Sequence, residues 1–337
     1  AFRLVLFRSA IAILNLASGA LMAIVGVRLS GQGASSLVIG AITSAYFLGL
    51  LLGSLFGARV IGRIGHIRAF VVYAAVSAVA ILLLVFAGKS IAAWLVLRMI
   101  AGYAMAGLTM VAESWLNHRA TNATRGRVLS IYIIVMNGAF ASGPLILNLG
   151  DPAGSALLVV AGILFVAALL PVALTRTGNP EIGKPARLGL GRLFAVSPLG
   201  VIGVMTVGLV ESAVFGLGAV YGDAIGLDTA RISVFLAVTL GGVLILQYPL
   251  GALSDRFDRE KLVLAVAVVG GCAALVIAVI GAPGLGLLLA RGLAAAGLAS
   301  PLCPLCGAGD HDWPEQEGAA PPAAALVRAE RTRAATP

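Results

Sequence analysis

The 337-residue chain has little charge, since Asp, Glu, Lys and Arg make up only 11% of its residues. Soluble domains carry about 25% charged residues. Hydrophobic residues make up 60% of the chain, and its mean hydropathy is +1.05. This composition excludes a water-soluble domain and indicates a protein embedded in a lipid bilayer.

The chain also has few groups of the kinds that build catalytic or metal sites. Its three cysteines, Cys272, Cys303 and Cys306, are too few for a disulfide framework. Cys303 and Cys306 have the spacing of half a zinc site, but the sequence has no second pair, so we expect no metal. The sequence contains no phosphate-binding or dinucleotide-binding glycine loop and no Ser/His/Asp arrangement. We therefore expect no cofactor, no ATP-driven transport and no enzyme activity.

Negative charge is scarcer than positive charge, and the formal net charge of +9 suggests nucleic acid as a partner at first. The distribution of the basic residues favours a different interpretation. Fifteen Lys and Arg residues lie in the N-terminus and every second loop, whereas the opposite loops hold only Arg28, Lys89 and Arg231. Such asymmetry orients membrane helices. It predicts a cytoplasmic N-terminus and no nucleic-acid partner.

What the chain does have is long apolar segments. Each is long enough to cross a bilayer, and backbone groups in lipid must be satisfied within the segment, so the segments are predicted to be helices. The first is interpreted as a span rather than a cleaved signal. The predicted fold class is an all-α integral membrane protein. The ten segments lie at about 9–28, 36–57, 69–87, 91–112, 128–149, 155–174, 198–221, 230–250, 262–281 and 284–302.

An internal repeat relates the two parts of the chain. The charged stretch 251–261, shifted back by 193 positions, falls on the basic stretch 58–68 between two other apolar segments. The same shift superposes four successive segments without gaps, which is typical of transporters built from two related halves. The residues superposed include Gly242 on Gly49, Arg256 on Arg63 and Arg291 on Arg98.

The repeat divides the chain into a six-helix bundle at 1–174, a cytoplasmic linker loop at 175–197 and an incomplete four-helix bundle at 198–306. A second half equal to the first would continue through two further spans. Residues 307–337 are instead rich in Ala, Pro, Arg and Glu, a composition typical of disordered tails. We therefore expect about ten helices of a twelve-helix plan.

The turn at 251–261 resembles the G-x-x-x-D-R-x-G-R-R turn of the major facilitator superfamily. The first loop keeps part of this pattern but has Gly62 where the acidic residue is expected. The resemblance implies a fold of two pseudo-symmetric helix bundles and a charged latch on the cytoplasmic side, in which an Asp at a helix end and arginines pair with adjacent helices. The implied latch residues are Arg63, Gly65, Arg68, Asp255, Arg256 and Arg259.

Two further stretches resemble motifs of the same family. Residues 98–102 are similar to its R-x-x-x-G motif, whose buried arginine is linked to proton coupling. Residues 139–144 resemble the G-x-x-x-G-P motif of antiporters, where Gly143 permits close packing and Pro144 permits a kink. An ordinary packed kink is the alternative. Within the superfamily, residues 113–117 and 301–306 resemble a bacterial subgroup of the YcaD type.

Three ionisable residues lie inside predicted spans, where each costs a few kcal/mol and usually has a partner or a wet cavity. They are Arg98, Glu211 and Arg291, in spans four, seven and ten. In the superfamily, spans one, four, seven and ten line the central cavity. The predicted site uses Glu211 to carry a proton and an arginine to bind a substrate anion; a fixed structural ion pair is the alternative. Further polar candidates are Asn15, Ser18 and Asn137.

These features predict a monomeric secondary transporter in a bacterial inner membrane. Its partners would be a small solute, protons and the lipid bilayer, and the Gly-Pro pattern favours export by proton exchange. One alternative is a permease that takes up organic anions and binds them through Arg98 and Arg291. The other is a truncated remnant that transports nothing. Glu113, at the cytoplasmic end of span four, is predicted to pair with Arg63 or Arg68.

Overall fold

The computed structural model of the chain describes residues 2–119, 125–173, 202, 212–214, 216–254 and 259–280. Two 3-10 segments follow α3 and α5, at Leu84–Phe86 and Gly143–Leu149, and the short helix Leu169–Ala173 continues α6. The helices are α1 (Phe2–Gly31), α2 (Ser36–Ile64), α3 (His66–Leu83), α4 (Ile91–Arg119), α5 (Arg125–Ser142), α6 (Ala156–Ala167), α7 (216–224), α8 (Thr229–Ser254) and α9 (Arg259–Ile280).

The predicted all-α membrane fold is confirmed. Throughout the described residues the secondary structure is helical and contains no strand. Six of these helices are long and apolar enough to cross a membrane, and the stretch Ala156–Val172 is apolar but shorter. Predicted segments one to six, eight and nine all fall on helices. Segment ten, most of segment seven, the linker 175–197 and the tail 307–337 lie outside the described residues.

Gly65 forms the turn between α2 and α3. Its φ of 83° lies in the left-handed region, which favours glycine because it has no Cβ. Its N–H donates to the carbonyl of Ile61 at 2.8 Å, so one residue both ends α2 and precedes α3. This geometry gives a physical reason for glycine at this position of the loop between α2 and α3.

The fifth span changes its helical form at Gly143. The α-helix ends at Ser142, and a seven-residue 3-10 helix runs from Gly143 to Leu149 with Pro144 in its first turn. Proline has no N–H and clashes with the carbonyl four residues earlier, so it cannot continue an α-helix without distortion. The predicted kink residues therefore lie where the α-helix gives way to the tighter form.

The helices α2 and α4 cross at two glycines, Gly49 and Gly102. A Cβ on Gly49 would lie 2.8 Å from the Tyr103 nitrogen, and one on Gly102 would lie 2.9 Å from the carbonyl carbon of Tyr46. The obstacles are backbone atoms, which cannot rotate away. Small residues allow membrane helices this backbone-to-backbone contact.

A second crossing of the same kind joins α1 to α5. Gly19 lies against the backbone of Phe140, and a Cβ on Gly143 would lie 2.6 Å from the carbonyl oxygen of Leu16. These two crossings pair α2 with α4 and α1 with α5 within the first bundle. The second half packs on it through α8, whose Leu244 lies against Gly138 of α5.

Candidate functional site

Arg98 lies at the centre of the candidate site, one helical turn before the Gly102 crossing. It is 1% exposed, although it carries a charge. Its guanidinium carbon lies 4.5 Å from the centroid of the Tyr46 ring on α2, and its Nη2 lies 3.0 Å from the Met22 sulfur on α1. Three helices thus enclose the guanidinium.

The contacts with Tyr46 and Met22 offset only part of the free energy that burying the Arg98 charge costs. Within the described part of the chain, no carboxylate lies within 4.0 Å of Arg98, and its Nε has no hydrogen-bond partner. A desolvated cation over an aromatic ring gains about 2 kcal/mol, which is less than the several kcal/mol that burying an ion costs. Arg98 is therefore a buried cation in need of a further counter-charge. Glu211 and Arg291, the other charges predicted for this site, lie outside the described residues.

The predicted polar residues of α1 lie on the face that contains Met22. Asn15, Ser18 and Met22 are spaced by three and four residues, which places them on one side of a helix. Asn15 is 7% exposed and donates to the carbonyl of Ile11 at 2.9 Å, within its own helix. Ser18 is 5% exposed, and its hydroxyl lies 3.5 Å from the sulfur of Met105 on α4. Ser18 and Met22 therefore join α1 to α4 beside Arg98.

Asn137 stands apart from this group. It is half-buried on α5, and within the described residues it forms no hydrogen bond to the side chains around Arg98. Another asparagine of the same span, Asn148, donates to the hydroxyl of Ser233 on α8 at 2.9 Å. Asn148 thus joins the two halves, although the sequence prediction did not include it among the site residues.

The residues of the predicted cytoplasmic latch are described only in part. Arg63 and Arg68 lie on either side of Gly65, near the turn between α2 and α3. Arg259 is the first residue of α9, while Asp255 and Arg256 lie outside the described residues. The latch between the two loops stays a prediction.

At the C-terminal end of α4, the structure shows partners that the sequence prediction missed. The Glu113 carboxylate accepts a hydrogen bond from the Tyr132 hydroxyl on α5. No ion pair joins it to Arg63 or Arg68 in the described segments. The adjacent Ser114 lies 2.8 Å from Nε2 of the buried His66. The prediction for Glu113 missed its actual partner because sequence spacing does not show which helix faces another.

Comparison with known proteins identifies the fold and the family. The family model of the Major Facilitator Superfamily matches residues 8–310. The uncharacterized MFS-type transporter YcaD of Escherichia coli O139:H28 is 31% identical over 261 residues, which cover 75% of this chain and 67% of that protein.

Solved structures agree on the fold. The nucleoside transporter NupG, as its D323A mutant, has a TM-score of 0.76 at 13% identity, covering 92% of this chain and 82% of that one. A D-xylose-proton symporter has a TM-score of 0.66 at 15% identity, covering 89% and 81%. The predicted fold and the YcaD-like character are confirmed. The chain belongs to the major facilitator superfamily and is a multi-pass membrane transporter of the secondary type.

Proposed function

We propose that the chain exports a small solute in exchange for protons by alternating access. It would do so in a bacterial inner membrane, as a monomer with its N-terminus in the cytoplasm. Members of the family carry small-molecule solutes, and halves that rock about a buried site expose it to each side in turn. The fifteen basic residues on one side of the membrane, against three on the other, support the orientation.

The observation that supports proton coupling is that the buried charge of Arg98 has no carboxylate partner among the described residues. A buried cation of this kind attracts a carboxylate, and a carboxylate that gains and loses a proton would pair with it in only one protonation state. Glu211 is the carboxylate that the sequence places in a cavity-lining span, at the position that Ser18 holds in the first half. Protonation of Glu211 would then release its pairing with Arg98, or with Arg291, and alter which state of the transporter is favoured.

The enclosure of Arg98 also distinguishes between the two candidate transport modes. An organic-anion permease would use a cation that the solute can reach, whereas Arg98 is covered by Met22 and Tyr46 and is 1% exposed. This favours coupling over direct anion binding for Arg98. The export direction is supported by the antiporter-like stretch at Gly143 and Pro144, which packs backbone to backbone against α1.

The test is proton movement in proteoliposomes that contain the full chain and a pH-sensitive dye. A panel of nucleosides, pentoses, organic anions and lipophilic cations is scored by the proton flux that each produces. We expect a solute that drives proton flux in the wild type, loss of that flux in Glu211→Gln, and a large decrease in Arg98→Ala. Arg231→Gln is the matched control, because Arg231 is an exposed arginine whose partner is the neighbouring Asp228.

Each contrary outcome has a definite meaning. Full proton flux in Glu211→Gln contradicts the coupling proposal. Anion uptake that fails in Arg98→Ala but persists in Glu211→Gln supports the permease instead. If no solute in the panel moves in the wild type, the transport proposal fails for this chain.

A further inference from the structure

Two contacts between the halves join residues that are separated by 193 positions. A Cβ on Gly26 of α1 would lie 2.8 Å from the Cβ of Ala219 on α7. One turn further along, the hydroxyl of Ser30 donates to Oδ2 of Asp223 at 2.6 Å. The separation is the same in both pairs, and it equals the shift that relates the two halves of the sequence.

A residue can touch its own equivalent only where a two-fold axis passes between them. The pseudo-two-fold axis of the transporter therefore runs between α1 and α7 at the ends where both helices finish. We call this end the distal end of the bundle, and it contains Ser30, Asp223 and the start of α2. The asymmetry of the basic residues predicts that the distal end faces away from the cytoplasm. Contact on the axis means that the two halves meet at this end.

Other contacts between the halves lie toward the same end. Asn148 donates to Ser233 at 2.9 Å, where the 3-10 segment after α5 meets α8. A Cβ on Gly216 of α7 would lie 2.8 Å from Cγ2 of Thr43 on α2. In the residues that the structure describes, the distal end is thus closed by several contacts on more than one pair of helices.

Arg28 fixes the last turn of α1 to its own half. Its guanidinium donates to the carbonyls of Pro152 and Gly154 in the loop between α5 and α6, and the residue is buried. Since Ser30 belongs to the same turn, it cannot move far without the rest of the first bundle. A bond from Ser30 to the second half therefore links that half to the first bundle and not only to one loose turn.

We propose that Ser30 and Asp223 form a latch on the pseudo-two-fold axis, which holds the distal end closed and opens when the transporter exposes its site to that side. The proposal rests on alternating access, the mode of transport proposed for the chain. The latch works because the two equivalent positions of the repeat carry different residues. The hydroxyl of Ser30 faces the carboxylate of Asp223, which gives a charge-assisted hydrogen bond. Two carboxylates at these positions would repel each other.

The nearby charges support a hydrogen-bonded latch rather than an ion pair. Asp228 pairs with Arg231 at 3.7 Å within its own helix turn. Among the described residues, no Lys or Arg lies within 4.0 Å of Asp223. Ser30 is therefore the side chain of the first half that bonds the exposed carboxylate of Asp223.

The first experiment measures the contact directly, in membranes that contain the full chain with its three cysteines replaced by serine. Ser30→Cys with Asp223→Cys should form a disulfide rapidly on mild oxidation. Ser30→Cys with Asp228→Cys is the matched control, since Asp228 lies five residues further along the chain, beyond the end of α7, and it should cross-link much more slowly. Equal rates for the two pairs would overturn the proposal.

The second experiment tests whether the contact acts as a latch, with the pair Asn148→Cys and Ser233→Cys as an independent reporter of distal closure. Ser30→Asp should slow cross-linking of this reporter several-fold, because two carboxylates then face each other. Ser30→Asn keeps a donor and should leave the rate unchanged. Gly26→Val should slow the reporter as well, whereas Gly40→Val should not, since a Cβ at Gly40 has no neighbour within 4 Å. A reporter that is insensitive to both Ser30→Asp and Gly26→Val would contradict the latch.

Cross-linking reads the positions of the helices and needs no substrate. A wild type that transports no solute would count against the proposed function, while the cross-linking rates would still decide the latch. In a transporting wild type, the disulfide between positions 30 and 223 should abolish transport, and reduction should restore it. Transport that continues with the disulfide formed would refute the latch.

Discussion

The α2/α4 and α1/α5 crossings of the first bundle both rely on glycine, which lets the two backbones touch, but the helices continue differently beyond them. At the α2/α4 crossing, both helices remain α-helices, and Gly53 and Gly57 extend the close contact at intervals of four residues. At the α1/α5 crossing, the α-helix of span five ends at Ser142 and the 3-10 segment starts.

This difference assigns the two crossings different tasks. The α2/α4 crossing places the backbone of Tyr46 directly against Gly102 and Arg98 one turn before it, in a continuous and tightly packed helix pair. The α1/α5 crossing leads into the segment that carries Asn148 to the second half. We infer that the first crossing keeps the candidate site rigid and that the second can adjust when the halves move.

The largest expected effect is that of Gly102→Val. The added side chain would meet the backbone of Tyr46, which cannot move without separating α2 from α4, so we expect a loss of about 3 kcal/mol or more. Thermal unfolding and the yield of monodisperse protein in detergent would measure it. Gly40→Val, at a position with open space, is the control and should unfold near the wild-type temperature. A Gly102→Val protein as stable as this control would mean that the crossing can open.

Gly143→Val should destabilise the protein less, by about 1–3 kcal/mol. Its Cβ also meets backbone atoms, but it stands where the α-helix ends, so a local change in the 3-10 segment can relieve part of the clash without separating two continuous helices. The same unfolding measurement applies. A loss equal to that of Gly102→Val would show that the two crossings are equally rigid and would remove the distinction between them.

Tyr46→Leu should cost about 1–2 kcal/mol, because it removes the ring that faces the Arg98 guanidinium. Tyr46→Phe keeps a ring at 4.5 Å and should lose much less. Unfolding of both variants in an Arg98→Met background completes a double-mutant cycle. The difference in unfolding free energy between Tyr46→Leu and Tyr46→Phe should become smaller in that background. If the difference stays the same, the ring stabilises the protein only by filling space.

Pro144→Ala should have the smallest effect on stability. It restores an N–H and allows the α-helix to continue past Ser142, which would turn Asn148 away from Ser233. We therefore expect slower cross-linking between cysteines at positions 148 and 233, with an unfolding temperature close to that of the wild type. Leu145→Ala, an exposed neighbour, is the control. An unchanged cross-linking rate would show that Gly143 alone sets the 3-10 form.

Much of the fold can be predicted from local composition. The apolar segments are long and interrupted by charged or glycine-containing loops, so eight of the ten predicted segments fall on helices of the structure, with ends that differ by at most about seven residues. Arg98 was identified for the same reason, since a charge inside an apolar segment is visible without any knowledge of packing. The glycines at positions 49, 53 and 57 also carry a signal, their spacing of four residues, that predicts a close helix contact.

The partners in the site were not predictable in this way. The spacing of residues on α4 does not show that Tyr46 of α2 and Met22 of α1 enclose Arg98, or that Tyr132 rather than an arginine bonds Glu113. The Ser30 and Asp223 pair had a signal in the 193-residue shift. The shift relates equivalent positions, however, and only packing shows which equivalents lie near enough to the axis to touch.

The sequence by itself determined that the chain is a bundle of membrane helices built from two related halves, because lipid forces each apolar segment to satisfy its own backbone. The tertiary structure alone decided which of the described helices touch, which charge is enclosed and that the two halves meet at the distal end. Lipid surrounds every helix with the same apolar solvent, so hydrophobicity does not select a neighbour. The selection comes from glycine contacts and a few polar bonds between residues far apart in the chain.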